Sequence, residues 1–98
     1  MILLDEVQRW YEIHVESLIR DGVIITFGRT RDLDKPKHAA WVDLEAHGDM
    51  VDFIIWETGE AEYSTGTADN GTSEHLEIKT IEELRELLRE ILTRFCPE

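Results

Sequence analysis

The side chains of this chain that could do chemistry are four histidines, one cysteine and a large surplus of carboxylates. His14, His38, His47 and His75 show no His-Glu-x-x-His or similar ligand spacing. Cys96 is the only cysteine, so a thiolate-based zinc site is excluded, and so is a disulfide framework. It has no His or Lys beside it to activate a thiolate. His14 falls on an apolar helical face, where a hydrogen-bonded core histidine is expected. His47 lies in a turn, and His75 alternates with Glu74 and Glu77, within reach of acids across strands. Asp43, Asp52 and Glu57 could form a carboxylate cluster. A glycosidase pair, however, needs one acid in an apolar cleft at roughly 5–10 Å from the other. A small open sheet offers little cleft, so a solvated acidic face is the expected reading. No Gly-x-Ser-x-Gly, phosphate-binding loop or dinucleotide fingerprint occurs. Asn70-Gly71-Thr72 reads as hairpin turn chemistry rather than as a glycosylation site. The residues therefore predict no enzyme, no metal and no cofactor.

The carboxylates matter through their placement. Asp plus Glu number 22 against 10 Lys plus Arg, a net charge of −12 over 98 residues. Small soluble domains are comfortable at a magnitude of about 2–8. Binding to phosphate backbones needs a basic stripe, so nucleic acid is an unexpected partner. Residues 38–78 carry ten acids and no Lys or Arg, and residues 23–37 are net positive. Solubility alone would tolerate mixed signs. A one-signed block points to a surface for a basic partner. Three tryptophans add to this, because Trp is a favoured anchor in protein interfaces. Trp10 is expected in the core and Trp41 on the surface.

The elements that position these residues follow from period. At about 100° per residue, Leu3, Leu4, Val7, Trp10, Tyr11, His14, Val15 and Leu18 share one side of a helix over 3–20, which Gly22 ends. Thr80 and Glu83 form a capping box for a second helix over about 80–95. Its apolar face is Ile81, Leu84, Leu87, Leu88, Ile91, Leu92 and Phe95. Glu90 and Arg94 are four apart in the favourable order, and Pro97 follows. Between the helices the period is two, which predicts strands at 23–27, 39–46, 50–57, 60–67 and 74–79. The strand at 50–57 is apolar on both sides and should be central. His47-Gly48, Thr58-Gly59 and Asp69-Asn70-Gly71 give short turns, hence antiparallel neighbours. Arg31–Lys37 is the only longer loop.

The fold class is therefore α+β, in a single domain over 1–98. An N-terminal helix, a five-stranded antiparallel meander and a C-terminal helix are expected, with both helices on one sheet face. The other face would carry Trp41, Asp43, Glu45 and Glu62. His75 would neighbour them, and so would Trp56 if it takes that side, which the alternation leaves open.

Ala40-Trp41-Val42-Asp43-Leu44-Glu45, then Ile55-Trp56-Glu57-Thr58-Gly59-Glu60-Ala61-Glu62, then Thr80-Ile81-Glu82-Glu83-Leu84, resemble the TriTu immunity proteins of bacterial polymorphic toxin systems. The Trp-Glu-Thr-Gly-Glu-Ala string is the specific part, and Trp10-Tyr11-Glu12 in the first helix also fits. The resemblance implies a non-catalytic inhibitor. Its partner would be the C-terminal toxin domain of a large secreted or surface-displayed protein, often one of contact-dependent growth inhibition. Many such toxins are nucleases, whose sites are basic because they hold phosphates. Asp43, Glu45, Asp52, Glu57, Glu60 and Glu62 are then expected to supply charge, with Trp41 and Trp56 as apolar anchors, in a 1:1 complex of a monomer. The alternatives are a small acidic secretion chaperone and a nucleic-acid mimic that blocks an enzyme. No apolar run approaches about 18 residues, so no membrane span is expected. Acid already at Asp5 argues against a signal peptide, and the lone cysteine suits a reducing compartment, so a cytoplasmic location is expected.

Overall fold

Each helix buries one stripe and each strand can bury one side, so the cheapest arrangement lays both stripes on one sheet face. The computed structural model has this arrangement. It describes residues 2–30, 37–67 and 70–95. The 31–36 part of the long loop, Asp69, Cys96 and Pro97 lie outside the described residues. The order is α1 (Ile2–Arg20), β1 (Ile24–Arg29), β2 (Ala39–Ala46), β3 (Asp49–Trp56), β4 (Glu60–Thr67), β5 (Gly71–Glu77) and α2 (Ile81–Phe95). The strands pair antiparallel in sequence order, so the sheet is one meander with β3 at its centre.

Leu4, Val7, Trp10 and Leu18 of α1 and Leu84, Leu88 and Ile91 of α2 enter one core. The sheet contributes Ala40, Val42, Leu44, Val51, Phe53, Ile55 and Ala61 to it. Trp10 is buried as expected. His14 is only half-buried, beside Trp10 at 5.6 Å between ring centroids, so it borders the core rather than sitting in it. No polar or charged residue is fully buried among the described residues.

The termini of the elements carry recognisable local chemistry. At the end of α1, Gly22 N–H donates to Ile19 O and Val23 N–H to Leu18 O, a paired closure that satisfies the last carbonyls. His47 and Gly48 have φ of 53° and 80°, the left-handed values of a two-residue hairpin turn that suits strand twist. That turn fixes Ala46 opposite Asp49. At α2, Glu83 N–H donates to Thr80 Oγ1, while the Glu83 carboxylate meets the Thr80 hydroxyl rather than its backbone N–H.

Further expectations shift, and β1 runs on past Phe27 through Gly28 to Arg29. The fifth strand starts at Gly71 and ends at Glu77. Thr72 and Ser73 hydrogen-bond to Thr65 and Ser64 across the strands, pairing that apolar alternation does not reveal. Ile78 N–H then donates to Gly59 O, and its side chain is buried. Arg94 grips Asp49 of β3 through Nε and Nη2, at 2.7 and 2.6 Å, in place of the expected pairing with Glu90. A two-pronged carboxylate partner outcompetes an exposed helical neighbour. Arg85 pairs with Glu6 across the helices, and Arg29 pairs with Asp5 and Gln8 of α1.

The packing sets an order of sensitivities. Leu88→Ala is expected to cost about 3 kcal/mol, because the site is fully buried. Thr80→Ala should cost about 1 kcal/mol as a lost cap. Urea unfolding of the two variants beside the parent protein checks both.

Candidate functional site

Alternation along the strands sends every second side chain away from the helices, and register sets these side chains in rows. One row runs Thr26, Asp43, Asp52, Ser64 and Ser73. The next runs Gly28, Trp41, Ile54, Glu62 and His75. Ile24, Glu45, Met50 and Gly66 make a row at one end; at the other, Ala39 faces Trp56 and Glu60 faces Glu77. Trp41, Asp43, Glu45, Asp52, Trp56, Glu60 and Glu62 thus share the open face. Trp56 joins them by parity with Asp52 and Ile54. Glu57 stands apart, in the turn after β3, with its carboxylate 3.9 Å from His38 Nδ1. Asp49, another acid of the 38–78 block, is held on the helix side by Arg94.

The face is acidic with little compensation. Lys37 Nζ lies 3.3 Å from Glu60 and 5.2 Å from the centroid of the Trp56 ring. His75 Nδ1 lies 3.1 Å from Glu62. Asp43 and Asp52 face each other directly across β2 and β3. Burial, followed by the hydrogen bond and charge of Asp52, pushes the Asp43 carboxyl up from its ordinary 3.8 to about 6.

Trp41 is half-buried because of what lies opposite it. A Cβ on Gly28 would collide with Cε2, Cζ2 and Nε1 of the Trp41 indole. The ring lies against the bare backbone of β1, a close approach only glycine permits. Beside it, Trp41, Asp43, Asp52, Ile54, Glu62 and Ser64 help line an open cavity of about 240 Å³. A second hollow of about 300 Å³ continues past Asp52 and Ser64 to Met50, Gly66 and Gly71.

Sequence reasoning missed several members of this surface. Ile54 and Met50 follow from the parity of Asp52, once that residue is assigned to the open side. Ile24 is 66% exposed and Met50 41%, and they flank Glu45. Gly28 lies beyond the strand expected at 23–27, and its partner depends on register across the long loop. Among the described residues no group of three or more His, Cys, Asp or Glu side chains could hold a metal ion. No helix among them is long and apolar enough to cross a membrane.

Fold and face together define a small α+β domain with one sheet face covered and the other acidic, aromatic and open. The family model of the immunity protein TriTu matches residues 5–94, and the chain belongs to that family. Membership implies a cognate toxin protein as partner. No curated protein matches the chain.

Two measurements probe the geometry of the face. Gly28→Val should drive the indole off β1 at a cost of about 1–3 kcal/mol, and move the Trp41 indole N–H resonance more than that of Trp10. The raised Asp43 value means the folded chain binds protons more tightly than the unfolded one between about pH 3.8 and 6. The acid pair therefore lowers stability as pH rises through that window, and the deficit persists above it. Asp52→Asn should accordingly stabilise the protein at pH 7.5 by up to about 1 kcal/mol and change little at pH 3.5, in urea titrations at both values.

Proposed function

We propose that the chain is a non-catalytic antidote that binds its toxin domain through the open sheet face. The observation that carries this reading is the convergence of Trp41, Asp43, Glu45, Asp52, Trp56, Glu60 and Glu62 on one uncovered surface. The family supplies the kind of partner, and the charge supplies its sign. A basic nuclease domain fits best, because a site that holds phosphates is positive. The toxin would be the C-terminal domain of a contact-dependent growth inhibition protein or a similar polymorphic toxin, met in the cytoplasm as a 1:1 complex.

The physical design suits fast capture. Opposed potentials steer the encounter and raise the association rate, while half-buried tryptophans with Ile24 and Met50 give apolar area to bury. Glu57, beside His38, belongs to the rim of such a contact rather than its centre.

Co-expression with the protein encoded immediately upstream tests the reading. Growth should be rescued by the parent chain and impaired with Trp41→Ala or Glu62→Lys. The association rate should fall about tenfold or more between low and high salt, since exposed charges are screened beyond about 10 Å at 0.1 M. Full protection by both variants would move the contact to another surface. An unchanged rate in salt would remove the electrostatic part.

A further inference from the structure

The two tryptophans of the open face sit in parallel settings, and one is already filled. At Trp56 the Lys37 ammonium lies over the indole and against the Glu60 carboxylate. The chain itself supplies a cation to that ring and that acid. At Trp41 the ring and the acids recur without the cation. Asp43 lies two residues along β2 from Trp41, Asp52 faces Asp43, and Glu62 lies beyond Ile54 in the Trp41 row. In the Trp41 row the one basic side chain is His75, and it is held on Glu62. Arg29 of β1 is turned to α1, where Asp5 and Gln8 hold it.

The cavity between these groups is about 240 Å³. Sites for drug-sized ligands run from about 300 to 1,000 Å³, so this one is scaled to a single long side chain. Its walls combine an indole with two carboxylates opposite one another. A planar guanidinium matches that combination, because it can stack on the ring while its fork of donors spans two acids. An ammonium is a point charge and can satisfy only part of it.

Building on the reading of this face as the toxin-binding surface, we propose that the Trp41 cavity receives one arginine side chain of the toxin domain, its guanidinium stacked on the indole and shared by Asp43 and Asp52. The acid pair makes this contact pH-dependent. The groups facing the pair are Thr26 of β1, Trp41 and Glu45 on its own strand, Glu62 and Ser64 of β4, and His75 of β5 through Glu62. The free pair retains one proton below about pH 6, and the arginine displaces it. One displaced proton makes binding about tenfold weaker at pH 5 than at pH 7.

The test uses the full chain in two arms. In the first, N-acetyl-arginine methylamide and its lysine counterpart are titrated at pH 7.5, with the Trp41 indole N–H followed by NMR. The arginine compound should shift that resonance saturably, at least fivefold more tightly than lysine, and the shift should vanish in Asp43→Asn. In the second, affinity for the upstream toxin domain is measured at pH 5 and 7. The tenfold change should appear in the parent chain and in His75→Gln, and disappear in Asp43→Asn. An unmoved Trp41 signal, an equal response to lysine, or the same pH dependence in Asp43→Asn overturns the arginine socket even if the toxin still binds. A toxin that does not bind the chain at all overturns the docking reading instead.

Discussion

The register of β2 against β3 is the constraint on which the rest depends. The His47-Gly48 turn allows two residues between the strands, and their left-handed backbone leaves one way to close the hairpin. Sliding the pairing by one position would invert one strand against the other, carrying either Val42 and Leu44 or Val51 and Phe53 into water and turning Asp43 or Asp52 against the helices. The core and the acidic face are thus two sides of one choice. The apolar side enforces it, since Val42, Val51 and Phe53 are almost completely buried, and the polar side inherits its geometry.

The inherited geometry is unfavourable in itself. Burial, and then the like-charged Asp52 directly opposite, makes Asp43 hold its proton to about pH 6. Elsewhere the chain relieves such strain. Asp49 has Arg94, Glu6 has Arg85, Glu60 has Lys37 and Glu62 has His75. The relieved acids lie at helix contacts or toward the rim of the sheet, and the unrelieved pair sits where β2 and β3 cross the middle of the open side. A continuous core, with α1 closed at Gly22 and α2 capped by Thr80, tolerates the repulsion.

How far the sequence could be read depended on how local each signal was. The α2 face, its Thr80 cap, the Gly22 stop and the alternation of β2 are properties of neighbouring residues, and they were legible. The open-face position of Trp41, Asp43, Glu45 and Glu62 followed from alternation plus the count of two helices. Trp56 was ambiguous because β3 is apolar on both sides, and only pairing with β2 and β4 assigns it. β5 was misplaced because Thr72 and Ser73 pair through hydroxyls rather than apolar contact. Arg94 was assigned to Glu90, its neighbour along the helix, whereas its true partner is 45 residues away. Gly28 under Trp41 belongs to the same kind: a tertiary contact whose two halves flank the long loop.

That contact has an energetic meaning beyond shape. A tryptophan free on a surface samples several rotamers, and an interface that uses it must freeze them at a cost of about 0.5–1.5 kcal/mol. Here the ring rests in the space left by the missing Gly28 side chain, so much of that freedom is surrendered when the chain folds. The loss is charged to the stability of a domain that has a core to absorb it, not to the encounter. An anchor immobilised beforehand meets its partner in the shape it keeps afterwards, which favours slow dissociation without new contacts.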